Sequence, residues 1–307
     1  MRDKMLFIFN PFSGKGLIRS HLVDILDTMV KAGFEVTTYV TQFQGDATEK
    51  IMAEGAHYDR IVCSGGDGTL DEVVTGMKRA ELHVPLGYIP AGSTNDFANS
   101  LGLPNDMTEA ARVAVGNRRF PCDVGDFNGD TFVYVAAFGL FTEVSYKTPQ
   151  QMKNILGHAA YILEGVKRLS DIQSYNLQVE WDHKVIQDKF IYGMVTNSVS
   201  VGGFKGITGP DVRLDDGEFE VTLIRTPKNP VELNEILACL TNLIDDTDMV
   251  YTFKTKELRI TGKNPVAWTL DGEFGGEHQE IIIRAQQQQI SILVDEENFP
   301  EQISMIY

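Results

Sequence analysis

Hydrophobic positions divide this chain into two textures. In the first, unbroken apolar runs alternate with stretches of helical period. Met5-Leu6-Phe7-Ile8-Phe9 is unbroken, as expected of a strand buried on both faces. Leu17, Ile18, Leu22, Ile25, Leu26 and Met29 then recur on one helix face, and Gly33 stands where a C-terminal cap belongs. Phe34 to Val40 predicts a second strand, and Asp46 to Glu54 a second helix with Asp46 as its N-cap. Arg60-Ile61-Val62-Cys63 is a third strand. Leu70, Val73, Val74 and Met77 share a face of the helix that follows, which runs to about Arg79. Leu86-Gly87-Tyr88-Ile89 is a fourth strand, ended by Pro90. Strands alternating with helices predict a doubly wound parallel sheet, whose ligands bind beyond the carboxyl ends of the strands. Three loops fall there: 10–16, 64–69 and 90–96.

After Cys122 strand-like runs follow one another: Phe132 to Phe138, Leu177 to Trp181, Phe190 to Val195, Phe219 to Ile224, Leu258 to Thr261, Val266 to Leu270, Ile281 to Arg284 and Ile290 to Val294. Several alternate, as in Glu218-Phe219-Glu220-Val221-Thr222-Leu223, so this half is expected to be antiparallel. Helices are expected over Thr148 to Leu169 and Val231 to Ile244. Gln286 to Gln289 reads as a polar turn or edge. These patterns imply an α/β domain over 1–123 and a β domain over 124–294. The segment 295–307 is either a solvated tail or a piece that packs back.

Composition narrows the function classes. Of 307 residues 43% are hydrophobic, an ordinary globular share, and the longest apolar run, Phe132 to Phe141, is too short to span a bilayer. The apolar stretch near the start is closed by Asn10-Pro11, too early for a signal peptide. The formal charge of −16 argues against a nucleic-acid surface, and membrane contact would need a local basic patch. Cys63, Cys122 and Cys239 lie far apart, which suggests reduced thiols in a cytoplasm.

The chemistry gathers in the loops. Ser64-Gly65-Gly66-Asp67-Gly68-Thr69-Leu70 joins a strand to a helix. Its glycines let the backbone approach a ligand, and the new helix offers free amides to a phosphate. Pro90-Ala91-Gly92-Ser93-Thr94-Asn95-Asp96 repeats the pattern with two hydroxyls and an Asn/Asp helix start. Leu214-Asp215-Asp216-Gly217-Glu218 and Leu270-Asp271-Gly272-Glu273 each read, taken alone, as hairpin turns.

With Asn10-Pro11 and Ser13-Gly14 these stretches occur in an order and spacing that resembles the bacterial soluble diacylglycerol kinase and lipid kinase family, with its diacylglycerol kinase catalytic domain. The glycine motif alone is shared with NAD kinases and, more loosely, phosphofructokinases. The resemblance covers essentially all of the chain. It implies an α/β nucleotide domain, a C-terminal antiparallel β-sandwich domain and an active cleft between them. It further implies an ATP- and Mg²⁺-dependent kinase whose acceptor is a lipid hydroxyl, most naturally diacylglycerol. NAD, a sphingoid base or another lipid alcohol are alternative acceptors, and a nucleotide- or lipid-binding protein without turnover is the alternative class.

By the same resemblance, Asn10, Pro11, Phe12, Ser13, Gly14, Thr41, Gly66, Asp67, Gly68, Thr69, Leu70, Asp71, Glu72, Ser93 and Thr94 are matched to nucleotide binding. Many relatives have Asn where this chain has Asp71, which puts a charge near the phosphates. Arg213, Asp216 and Glu218 match a structural magnesium site, the first and last through main-chain carbonyls. Asp67 and Asp96 are candidates for a catalytic magnesium network, with Asp123 a third. Asp271 and Glu273 match the acidic motif expected to supply the general base: Glu273 is the nominal base and Asp271 the alternative, the other carboxylate orienting the base or binding metal. Lys15, Arg19, Lys147, Lys153, Lys167 and Arg168 could form a cationic patch for anionic headgroups at the inner membrane face. The stretch Ser198 to Phe204 could line an acceptor pocket. A homodimer is possible, as in some relatives.

Overall fold

The four apolar runs of the first half are adjacent parallel strands in the computed structural model, which describes residues 2–140, 172–201, 204–205, 208, 211–240, 246–300 and 303. The chain divides into two units. One comprises Met1–Val124, Leu214–Asp216 and Gln286–Tyr307; the other comprises Gly125–Arg213 and Gly217–Ala285.

The first unit begins β1 (Lys4–Phe9), α1 (Ile18–Lys31), β2 (Glu35–Val40), α2 (Asp46–Glu54), β3 (Arg60–Gly65), α3 (Asp67–Arg79) and β4 (Leu86–Pro90). It continues with α4 (Asp96–Ser100) and α5 (Met107–Ala114), and β5 (Arg119–Phe127) leads out of it. β4, β3, β1 and β2 lie side by side in that order, all parallel. The register sets Phe9 beside Ser64 and Gly65 beside Pro90, so β1, β3 and β4 end together and their loops emerge at one edge. Met5, Phe7 and Phe9 pack with Ile18, Ile25 and Met29 of α1 and with Met107, Ala110 and Ala111 of α5. Burying such a side chain stabilises by about 1.5–3 kcal/mol. Periodicity alone missed α5. Its signal is Asp106, an N-cap whose carboxylate accepts from the amides of Thr108 and Glu109, both at 2.9 Å.

The second unit holds β6 (Asp130–Phe132), β7 (Val135–Gly139), β8 (Tyr175–Trp181), β9 (Lys184–Thr196), β10 (Ser200–Val201), β11 (Phe204–Lys205), β12 (Phe219–Arg225), α6 (Pro230–Leu240), β13 (Val250–Thr255) and β14 (Glu257–Leu270). β15 (Glu273–Leu293) starts here, and Ile292 near its end pairs in parallel with Leu86 of β4. The order β13-β12-β9-β7-β14-β15 is antiparallel, as expected. β9 and β14 are long enough that both β7 and β8 pair between them. The core so enclosed centres on Trp268, whose ring lies 4.8 Å from Phe138 and 5.2 Å from Phe127 between centroids.

Several boundaries differ from the sequence reading, each for a local reason. The two runs 258–261 and 266–270 are one strand, β14, whose pairing with β15 shifts register between Thr261 and Val266. The glutamine run is not a turn but the body of β15. Gln288 is held at φ +53°, its amide donating to Asp123 Oδ1 at 2.7 Å. Asp46 is the first residue of α2 rather than its cap; Gly45, at φ +88°, takes the cap position. The helix expected over 148–169 lies outside the described residues, as do 241–244. In the 294–300 segment Arg118 donates to the Glu296 carbonyl at 2.7 Å, and Phe299 packs on Phe120. Among the described residues no helix is long and apolar enough to cross a membrane, and Cys63 is a buried thiol.

Candidate active site

At the edge where β1, β3 and β4 end, three loops lie backbone against backbone. Asn10 donates its amide to Ser64 O at 2.9 Å, and its side-chain Oδ1 accepts from Phe12 N at 2.9 Å, closing a tight Asx turn. Gly14 sits at φ +56°, where a Cβ would come within 2.3 Å of the Ala91 carbonyl oxygen. A Cβ on Gly92 would lie 2.7 Å from Gly66 Cα. The glycines of all three motifs therefore stand where the loops touch, which explains their spacing better than turn propensity does.

α3 begins inside the glycine motif, at Asp67, ahead of Leu70, the first residue of its apolar face. Gly66 is its N-cap residue and no side chain caps it, so Asp67-Gly68-Thr69-Leu70 form the first turn. That leaves the positive end of a thirteen-residue helix aimed at the loop edge. The Gly65–Gly66 peptide is held from both sides. Its carbonyl accepts from Ala91 N at 2.7 Å and from the Tyr88 hydroxyl at 3.3 Å, while its N–H donates to Ser13 Oγ at 3.2 Å. Ser13 thus occupies the position a phosphate oxygen would take on that amide. Tyr88 was not among the candidates, because in sequence it reads as one more apolar strand residue. Burial first, and then the nearby Asp67 carboxylate, raise its phenol well above its ordinary pKa and keep it a proton donor.

The remaining nucleotide candidates fall around this cradle or behind it. Asp67 and Asp71 are half-buried and four residues apart, on one face of α3. Like charges so placed repel, and a cation between them would ease that repulsion. Asp96, only 2% exposed, opens α4, and Ser93 and Thr94 precede it, Ser93 exposed. Asn95 caps α4 by position but not by its side chain, which donates from Nδ2 to Gly92 O at 3.2 Å; its backbone is left-handed, φ +52°. Thr69 and Leu70 are buried under the first turn. Thr41 follows β2 beside Asn10 and is buried, its amide donating to Phe9 O at 3.0 Å. Pro11 and Phe12 cover the outside of the first loop, Phe12 exposed with the Arg19 guanidinium 5.5 Å from its ring centre. Glu72 faces α2, and both its oxygens accept amides there.

The acidic motif of the second unit has a separate geometry. Asp271 and Gly272, at φ +49° and +88°, form the two-residue turn between β14 and β15, with Leu270 and Glu273 paired across it. The hairpin and acidic-motif readings therefore describe one feature. Asp271 is buried with its carboxylate turned inward. It accepts from Val133 N at 2.6 Å, Tyr134 N at 3.0 Å and Val135 N at 2.9 Å, while its own amide donates to Val135 O at 2.8 Å. Glu273, two residues on, is exposed. The turn therefore separates a carboxylate committed to the fold from one presented to solvent.

Of the candidate magnesium ligands, Asp216 belongs to the first unit and Arg213 and Glu218 to the second, all in the segment that precedes β12, with Gly217 at φ +76°. One carboxylate and two main-chain carbonyls are an all-oxygen set of the kind Mg²⁺ takes. Among the described residues no three His, Cys, Asp or Glu side chains cluster as a metal site, so such an ion would depend on those carbonyls. In the first unit, Leu214 O accepts from Asp123 N at 2.7 Å, and Asp215 O accepts from the Gln287 side chain at 3.2 Å. Asp123, fully buried, thereby serves as a backbone anchor on both sides. Of the basic candidates Lys15 and Arg19 are exposed, while Lys147, Lys153, Lys167 and Arg168 lie outside the described residues. Ser198 bonds back to Ser200 O at 2.6 Å in the turn at β10, and 202–203 lie outside the described residues.

Known proteins resemble this chain along most of its length. Residues 4–127 match the diacylglycerol kinase catalytic domain, and residues 135–294 match the YegS C-terminal NAD kinase beta sandwich-like domain. A diacylglycerol kinase of Bacillus subtilis (strain 168) is 35% identical over 273 residues, 88% of this chain and 89% of that protein. One from Staphylococcus haemolyticus (strain JCSC1435) is 36% identical over 279 residues, 90% of this chain and 84% of that protein. A solved structure from Bacillus anthracis str. Sterne, described as a candidate diacylglycerol kinase, superposes with a TM-score of 0.82 at 26% identity, covering 97% of each chain.

Proposed function

The chain belongs to the diacylglycerol kinase family, and from that premise we propose that it transfers the γ-phosphoryl group of ATP to a lipid hydroxyl, with diacylglycerol as acceptor and phosphatidic acid as product. The observation that carries this reading is the cradle at the sheet edge, where an uncapped helix N-terminus meets three glycine loops in backbone contact. The amide of Gly68, and that of Gly66 where a phosphate oxygen replaces Ser13 Oγ, hold phosphate oxygens, with Asn10 to Gly14 and Ser93-Thr94 flanking them and Thr41 on the nucleoside side. Asp67 and Asp96, with Asp71 on the face of Asp67, suit the cation that accompanies a nucleotide. Mg²⁺, when bound, neutralises phosphate charge. Arg213, Asp216 and Glu218 would hold a second, structural ion.

Glu273 is the base in this scheme. It takes the acceptor proton as the lipid oxygen bonds to the γ-phosphorus, and the bond from that phosphorus to the β–γ bridging oxygen breaks to release ADP. Asp271 holds the turn in place and so orients Glu273. Lys15 and Arg19, with Lys147, Lys153, Lys167 and Arg168, would draw the protein to anionic lipid from the cytoplasmic side. The test is an acceptor panel with labelled ATP: diacylglycerol in mixed micelles, a sphingoid base and NAD. Label in phosphatidic acid supports the proposal. Label only in NADP or a sphingoid phosphate reassigns the acceptor, and ATP binding without transfer to any acceptor overturns the kinase reading.

A further inference from the structure

Glu72 lies in the second turn of α3 and aligns with residues expected to touch the nucleotide. Its carboxylate is engaged elsewhere. Oε1 accepts from Gly45 N at 2.8 Å and Oε2 from Ala47 N at 3.2 Å, so one side chain caps the start of α2 with both oxygens. Its main-chain carbonyl accepts from the Thr48 hydroxyl at 2.7 Å, a second tie between the two helices. Gly45 has no side chain with which to cap α2 itself. A carboxylate facing nucleotide phosphates would repel them; against the positive end of a helix its charge is stabilised.

The loop tied down in this way is the one that carries Thr41. Asp46, 3% exposed, closes it from inside, with Oδ2 accepting from Gln42 N at 2.7 Å and Oδ1 from the Tyr39 hydroxyl at 2.6 Å. The loop after β2 therefore moves as one piece with α2, and Glu72 fastens that piece to α3, whose first turn is the phosphate cradle. We infer that Glu72 is a positioning residue, a strut that sets the distance between the cradle at Gly66 to Thr69 and the Thr41 loop, and so lets the site select a nucleotide over a bare polyphosphate. This rests on the kinase reading above.

The experiment compares ATP and inorganic tripolyphosphate binding to the full chain by calorimetry, for wild type, Glu72→Gln and Asp46→Asn. Glutamine keeps the length of the strut, but its NH₂ opposes one of the two amide donors. The expected result is a roughly three- to tenfold loss of ATP affinity in each variant, with tripolyphosphate binding held within about twofold. A purely structural role would weaken both ligands together, and that result, or no change in either, overturns the strut. If Glu72→Gln does not fold, Asp46→Asn gives the same comparison from the other end of the loop. A wild-type chain that binds neither ligand removes the kinase reading and the strut together. A wild-type chain that binds both, with variants that bind ATP equally well, removes the strut alone.

Discussion

The sharpest division of labour lies at Asp271 and Glu273, and paired substitutions separate the two roles. In Asp271→Asn, Oδ1 can still accept from Tyr134 N and Val135 N, which share one oxygen of the native carboxylate. The new NH₂ then faces Val133 N–H, whose 2.6 Å bond is lost and replaced by two opposed donors. Losing one charge-assisted bond and stranding a buried amide costs about 1.5–3 kcal/mol. For a unit of this size that lowers Tm by roughly 3–12 °C. Glu273→Gln changes an exposed carboxylate, so stability should stay within about 0.5 kcal/mol. Its kcat should fall by about 10²–10⁴-fold with ATP affinity unchanged. Scanning calorimetry and the labelled-ATP assay on the same preparations check both. An Asp271→Asn protein that melts like wild type yet loses kcat as fully as Glu273→Gln would refute the reasoning, because Asp271 would then be a reacting group and not an anchor.

Other predictions follow from single contacts. Tyr88→Phe removes the hydroxyl from the Gly65 carbonyl, a long bond at 3.3 Å, so ATP and tripolyphosphate affinities should fall together by about two- to fivefold, unlike the split expected at Glu72. Gly14→Ala places a methyl 2.3 Å from Ala91 O at a left-handed φ; calorimetry should show at least about tenfold weaker ATP binding, as the loops must separate. The Asp106 carboxyl is held below its ordinary pKa, chiefly by the Glu109 amide. Its contribution to α5 is therefore complete above the unfolded pKa of about 3.9 and lost as pH falls through the lower folded value. Urea melts of Asp106→Asn, which keeps the cap oxygen, should lack that part of the acid dependence.

How much of this was legible in the sequence depended on whether the signal was local. Met5 to Phe9 and Ile61 to Cys63 read correctly because buried parallel strands are apolar without interruption, and Val73, Val74 and Met77 because one helix face is buried. The glycine motif pointed to a phosphate loop, yet the start of α3 within it was hidden, since Asp67-Gly68-Thr69 has no apolar period. β14 looked like two strands because Gly262-Lys263-Asn264-Pro265 interrupts its hydrophobic pattern, although the backbone stays extended through a register shift. The distant contacts that Glu72, Tyr88 and Asp271 make were not readable. Each depends on a partner distant in sequence, Gly45, Gly65 or Val133, and a carboxylate capping a remote backbone looks in sequence like any other acid.

The central claim is that the cradle at Gly66 to Thr69 delivers a phosphoryl group that a lipid hydroxyl accepts. The most direct measurement is transfer of label from γ-labelled ATP to diacylglycerol in mixed micelles, with wild type, Asp67→Ala and Glu273→Ala compared at equal folded concentration. The account predicts labelled phosphatidic acid from wild type and none above background from either variant. Undiminished transfer by Asp67→Ala or Glu273→Ala, or a wild type that labels no lipid at all, would contradict it.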